Sequence, residues 1–467
     1  METLKNFING RSSGRVVEKL NQQLPKTKGE SPSFVNSDYM DIVAAVQAGN
    51  NAQRKWQELT TASRILLLEN FGQLIEENLE VFIRFESEDQ GSSPQVAKKL
   101  CLYAIQNFYK CLKFQPESQY LSQKNMSQFQ VHSALGLTGL ILDWQQSFAV
   151  LLANLAMSLR CGNLVILQPS ELSMRSSLKL AELAIQAKIL DGVFNVILGR
   201  GDAISIAMLE HPGVKYLAYY GESSRGEMLH KLAAENHKRL HSFLGVHNAA
   251  IAFADCDLKG CISKILELGL ELHYYGRNRI NRILVQEKIL KEFKQELINQ
   301  IEARIEDGSL AEMIGCLPIN EFNVRFINYI KKSEKDRAKI LIRKDFKDST
   351  QMPLVIYEDL TNCSTLYQED LLGPILFLQS FKYAADLPKI LNSGAFGGTT
   401  YIWTNDIIRS HKLGGQIDSS RIIFNFKTLE LEEFASQNIK QSGTGMNGIA
   451  ALFDFNINRK SISIQST

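Results

Sequence analysis

From Gly136 onward the chain alternates short apolar runs with amphipathic stretches, and this alternation limits its fold more than any other feature. Leu140-Ile141-Leu142 reads as a strand, and Phe148 to Arg160 as a helix. Asn163 to Leu167 is a second strand, followed by a helix from about Met174 to Ala187. Val193 to Leu198 reads as strand, Ala203 to Glu210 as helix and Lys215 to Tyr219 as strand. A helix over Gly226 to Glu235 and a strand over Arg239 to Leu244 complete the series. Strands that are apolar on both faces need helices on both sides of a mostly parallel sheet. The expected class is therefore α/β, doubly wound. Cys161-Gly162-Asn163 and Asp191-Gly192-Val193 sit at helix-to-strand joints, where glycine ends a helix readily.

A second strand–helix succession runs from about Ala249 to Asn425. It carries a basic stretch with Lys331, Lys332, Lys335, Arg337 and Lys339, read as a solvated helix face. The N-terminal part reads helical. Leu67, Phe71, Leu74 and Phe82 share one face of a single long helix expected from about Ala62 to Phe85. Gly91 and Pro94 interrupt the pattern after it. The tail from Asn458 to Ile464 alternates like a strand, and pairing with another subunit is one way to cover such an edge.

Composition excludes several classes. The 467 residues are 45% apolar and 22% charged with a net charge of +2, which suits two or three globular domains. That balance offers no electrostatic footprint for nucleic acid or an anionic membrane. The most apolar stretch, Ser147 to Leu159, is short and broken by Asn154 and Ser158, so no membrane span is expected. Met1 to Ser13 lacks the pattern of a secretory leader. Seven cysteines stand at 101, 111, 161, 256, 261, 316 and 363, an odd number with no CxxC pair. Neither a disulfide framework nor a zinc site follows, and a cytoplasmic protein with reduced thiols is expected.

Several local motifs, in order along the chain, carry a resemblance. Phe7-Ile8-Asn9-Gly10 opens the series. Cys161-Gly162-Asn163 with Gln168-Pro169-Ser170-Glu171 follows, and then Gly192-Val193-Phe194-Asn195-Val196 with Gly199 and Gly201. Gly221 and Gly226, Leu372-Gly373-Pro374, Lys440-Gln441-Ser442-Gly443 and the strand from Lys460 to Ile464 complete it. Together they resemble the aldehyde dehydrogenase superfamily over nearly the whole chain. The resemblance implies an aldehyde dehydrogenase-like fold with three parts. A Rossmann-like cofactor domain is expected over 1–118 and 135–245, and an α/β catalytic domain over 246–440. A small β oligomerisation element is expected over 119–134 and 456–467. It also implies NAD or NADP as cofactor and a dimer or tetramer.

The family oxidises an aldehyde to an acid. A cysteine thiolate attacks the carbonyl, an asparagine amide helps hold the oxyanion, and a glutamate activates water. Position by position, this chain departs from that set. Arg277 stands where the family has its cysteine, and a guanidinium has no lone pair to offer as a nucleophile. The nearest cysteines in sequence are Cys261 and Cys316. Phe243 stands at the glutamate position, and its 34-residue separation from Arg277 matches the family spacing. Gln145 replaces the oxyanion asparagine and is one methylene longer. His247 could act as a base but reads better as an ordinary loop histidine.

The cofactor positions are also altered. Gln168 replaces a lysine at the adenosine ribose, although Glu171, Gly201 and Gly221 remain. Glu222 replaces a serine at a helix start, where its carboxylate would compete for the free N–H groups and repel the cofactor's phosphates, or simply cap or decorate the helix start, substituting for the anion either way. Asp370 replaces a longer glutamate at the nicotinamide ribose. The expectation is a family member without the family reaction. It would be a scaffold or regulatory partner, as a homo-oligomer or with an active paralogue. The alternative is an active NAD(P)-dependent dehydrogenase with a non-standard site.

Overall fold

The computed structural model describes residues 3–14, 17–19, 33–116, 120–123, 126–144, 147–316, 320–335, 338–346, 351–358, 371 and 373–465. Two seven-stranded sheets organise it. Across the first, the order is Arg239–Phe243, Tyr216–Tyr220, Leu137–Leu142, Leu164–Gln168, Phe194–Val196, Asn6–Ile8 and Arg11–Ser13. The first five are parallel, and the N-terminal hairpin closes the far edge antiparallel. All residues of Leu137–Leu142 and Leu164–Gln168 are buried, as strands covered on both faces require.

The chain steps from Leu137–Leu142 outward to one side, then returns to place Tyr216–Tyr220 on the other. That reversal opens a crevice beyond the carboxyl ends of the two central strands. The second sheet is parallel except for the Lys339–Lys344 edge strand. Its Ile280–Gln286 strand follows the short turn Gly276–Asn278, which faces the crevice.

Gly162, with φ of 86°, takes the left-handed conformation that ends the helix before it, whereas the Met174–Gln186 helix ends at Lys188 with φ of 68° and Gly192, with φ of 85°, serves the turn into the next strand. The expected long N-terminal helix is two helices, Thr61–Glu77 and Leu79–Gln90. Asn78 leaves helical geometry between them, and its side-chain amide donates to the Leu74 carbonyl at 2.8 Å. A short polar side chain that bonds local backbone competes with the helix ladder in this way. In the basic stretch, Lys331, Lys332 and Lys335 lie on the Asn320–Lys335 helix, whereas Lys339 begins a strand. Arg337 lies outside the described residues.

The tail strand, Ile457–Gln465, pairs along its length with Met126–Ala134 of the same chain and forms the outer edge of that sheet, so its other side has no strand against it among the described residues. Tyr120–Gln123 completes this three-stranded ribbon. Asn163 ties the ribbon to the first sheet. Its side-chain oxygen accepts from the Leu135 and Gly136 amides, and its nitrogen donates to the Asn456 carbonyl at 2.7 Å.

Candidate functional site

The crevice at the strand reversal is a cleft of about 740 Å³. Gln168, Glu171, Gly201, Glu222 and Arg277, all expected site positions, line it. Gly221 sits at the adjoining turn, and Phe243 lies behind the cleft wall. Gln145 and Asp370 lie outside the described residues. His247 is buried, faces neither this cleft nor the cavity behind it, and packs its ring on Phe396.

Arg277 rises from the Gly276–Asn278 turn. Asn248 fixes that turn by donating to the carbonyls of Arg277 and Arg279 at 2.6 and 2.7 Å. The Arg277 guanidinium donates to the carbonyls of Leu244 and Gly221 and lies 3.5 Å from the Asp143 carboxylate. Those three acceptors follow the ends of three neighbouring strands of the first sheet. A planar fork suits such a convergence of acceptors.

Gly221 and Leu244 each follow an aromatic residue, Tyr220 and Phe243. These two are register partners on adjacent parallel strands. Their rings stack with centroids 4.1 Å apart and planes inclined by 2°. Asn154 donates to the Tyr220 hydroxyl at 3.2 Å, and burial pushes that phenol well above its ordinary pKa. Behind the stack lies a second cavity of about 120 Å³, lined by Tyr220, Phe243, Asn278 and Arg421 among others. Among the described residues, the cleft and this cavity share no lining residue. Arg277 faces one and the aromatic pair faces the other, so these residues stand between the two as part of a wall. Tyr220 was not singled out from sequence. Its signal was an aromatic at a strand end, and only the register shows that it meets Phe243.

The opposite end of the cleft is bonded internally. Gln168 accepts from the Ser205 hydroxyl at 2.7 Å and donates to the Gly201 carbonyl at 3.3 Å. Arg225 donates to the same carbonyl at 2.9 Å and pairs with Asp202 at 2.6 Å. Glu171 is 4.0 Å from Arg200. Glu222 stands at the N-cap of the Ser223–Glu235 helix, but its side chain makes no capping hydrogen bond. The capping role considered for it from sequence is therefore not the one it has.

Among the described residues, no thiol lines the cleft or the smaller cavity. Burial pushes the Cys101, Cys111 and Cys161 thiols up, the last two to about 12. Thiols so placed remain protonated and unreactive. Cys363 lies outside the described residues. Among the described residues there is also no group of three acidic, histidine or cysteine side chains arranged to hold a metal, and no helix is long and apolar enough to cross a membrane.

The aldehyde dehydrogenase family model matches residues 11–462. The 2-aminomuconic semialdehyde dehydrogenase of Mus musculus is 25% identical, the match covering 99% of this chain and 98% of that protein. The 2-hydroxymuconic semialdehyde dehydrogenase of Pseudomonas sp. (strain CF600) is 24% identical with 100% of both covered. Among solved structures, an NAD-dependent aldehyde dehydrogenase from Sinorhizobium meliloti superposes with a TM-score of 0.92 at 22% identity, covering 99% of this chain and 95% of that one. An NAD+ complex of aldehyde dehydrogenase from Bacillus cereus gives a TM-score of 0.91 at 23% identity, covering 99% and 97%.

Proposed function

Because the chain belongs to the aldehyde dehydrogenase family, we propose that it keeps the family fold without the family's oxidation of aldehydes. The observation that carries this reading is the Arg277 guanidinium at the nucleophile's position, bonded to Gly221 and Leu244 and beside Asp143. A permanently protonated group cannot attack a carbonyl. Phe243, at the position of the family's base, cannot take a proton from water. It is packed against Tyr220 instead.

The pattern of change supports the same reading. Positions that hold the fold together keep the family residues: Asn163, Gly162, Gly192 and the tail strand. Positions that serve chemistry are replaced: Gln145, Phe243 and Arg277, with Gln168, Glu222 and Asp370 on the cofactor side. Drift without selection would not separate the two classes.

In this reading the chain is a scaffold or a regulatory partner. It would assemble with itself as a dimer or tetramer, or with an active paralogue, through the three-stranded ribbon. The domain division in this reading is a cofactor-type unit over 1–118 and 135–245, a catalytic-type unit over 246–440, and the ribbon.

The names of the semialdehyde dehydrogenase relatives favour a second reading, an active NAD(P)-dependent enzyme with a non-standard site. One assay separates the two. Purified protein is mixed with NAD or NADP and a panel of aldehydes that includes a semialdehyde. No rise in reduced-nicotinamide absorbance is expected, and steady turnover would overturn the proposal.

A further inference from the structure

A nicotinamide dinucleotide brings a pyrophosphate with two negative charges. Sites of this topology meet it with free N–H groups at a helix start and with polar or cationic side chains aimed into the crevice. In this cleft the polar and cationic side chains are already engaged, and the helix start has a carboxylate beside it. The Ser223–Glu235 helix opens beside the cleft, and its N-cap residue, Glu222, is an exposed carboxylate lining that space. Its side chain makes no capping hydrogen bond, but a carboxylate beside the positive end of the helix dipole offsets that end and repels an incoming phosphate. The next side chain, Ser223, accepts from the Gly245 amide at 3.1 Å.

Three guanidinium groups line the cleft, and each has its own acceptors. Arg277 holds Gly221 and Leu244. Arg279 donates to the Gly373 and Leu371 carbonyls at 2.6 and 2.5 Å. Arg225 pairs with Asp202 and donates to the Gly201 carbonyl and the Ser205 hydroxyl. Arg225 also lies over the Tyr219 ring, 5.7 Å from its centroid. It thereby fastens the start of one helix to the loop ahead of the Ala203–Glu210 helix, across one end of the cleft. Gln168 closes onto the same carbonyl and hydroxyl. Asp143, Glu171, Asp202 and Glu222 line the cleft as well, one charge more than the guanidinium groups supply.

We infer that this cleft excludes NAD and NADP, because the Glu222 carboxylate stands at the helix start where the phosphates would come and the Arg225 clasp ties the two helices together across that end of the cleft. The inference is separate from the loss of oxidation. A chain that binds NAD but does not turn over would refute the exclusion and leave the proposed function standing.

The test is calorimetric titration of the full-length protein with NAD and with NADP. No saturable heat is expected up to about 1 mM for the parent chain. Glu222→Ser with Arg225→Val should gain at least about tenfold in affinity, equivalent to ~1.4 kcal/mol. Glu222→Ser alone leaves the clasp intact and should gain less. It also supplies the comparison if the double variant folds poorly. Binding by the parent chain tighter than about 100 µM would overturn the inference. So would variants that melt like the parent and bind no more tightly.

Discussion

Arg277 is bonded to the backbone at two strand ends, as a structural guanidinium would be. Its fork gathers the ends of three strands that would otherwise present carbonyls and a carboxylate to the crevice. Hydrogen bonds to a charged donor in a partly buried place stabilise more than neutral ones. Arg277→Ala should therefore lower stability by about 2 kcal/mol in urea denaturation. Arg277→Lys should recover only part of this, since an ammonium cannot reproduce the planar fork. A neutral effect of Arg277→Ala would show that the guanidinium is not holding these strand ends. The substitutions at 243 and 277 were legible in the sequence because the motifs around them are local. The destination of each side chain was not. The acceptors of Arg277 come from residues 143, 221 and 244, far apart in the chain and neighbours only in the sheet. Arg225 escaped notice for the same reason, since its partners Gly201, Asp202 and Ser205 belong to another helix and the loop before it.

Among elements, the Leu79–Gln90 helix carries an unusual load. Its Glu86 is fully buried against the helix Met174–Gln186, where it accepts from the Ser176 hydroxyl at 2.6 Å. Burial raises this carboxyl to about 8 from an ordinary 4.5. Asp89, one turn on and paired with Arg175, is raised to about 6 by the same cause. A carboxyl raised in the folded state binds its proton more tightly there than in the unfolded chain. Its contribution is complete below the unfolded value of 4.5 and is lost as pH rises toward 8. Thermal melts at either end of that window should show a loss of stability for the parent that Glu86→Gln largely removes. An unchanged pH dependence in the variant would place the titration elsewhere. Element boundaries show how far pattern reading reaches. The helix Ala203–Glu210 matches its expected span, and the neighbouring strands differ only by a few residues at their ends. The helix break at Asn78 was hidden because apolar spacing continues through it, while the break depends on one side-chain hydrogen bond.

At the scale of the molecule, the alternation of strands and helices was enough to anticipate a doubly wound sheet, since few arrangements bury such strands. It did not reveal a cleft and a cavity behind it that share no lining residue among those described. Between the two, Tyr220 meets Phe243 across a strand pair and Arg277 bridges the residues that follow them. In the proposed reading, the positions of the family's nucleophile and base belong to a wall between the two spaces. Restoring the family residues to such a wall should damage the fold without recovering the reaction. The most direct measurement is made on Arg277→Cys combined with Phe243→Glu, assayed for NAD(P)-dependent aldehyde oxidation alongside thermal melting. The expected result is a lowered melting temperature with no more than trace turnover, because a carboxylate would replace a stacked ring and the strand ends would lose their guanidinium. Robust turnover at the parent's stability would contradict it, by showing that a working site lies intact behind two substitutions.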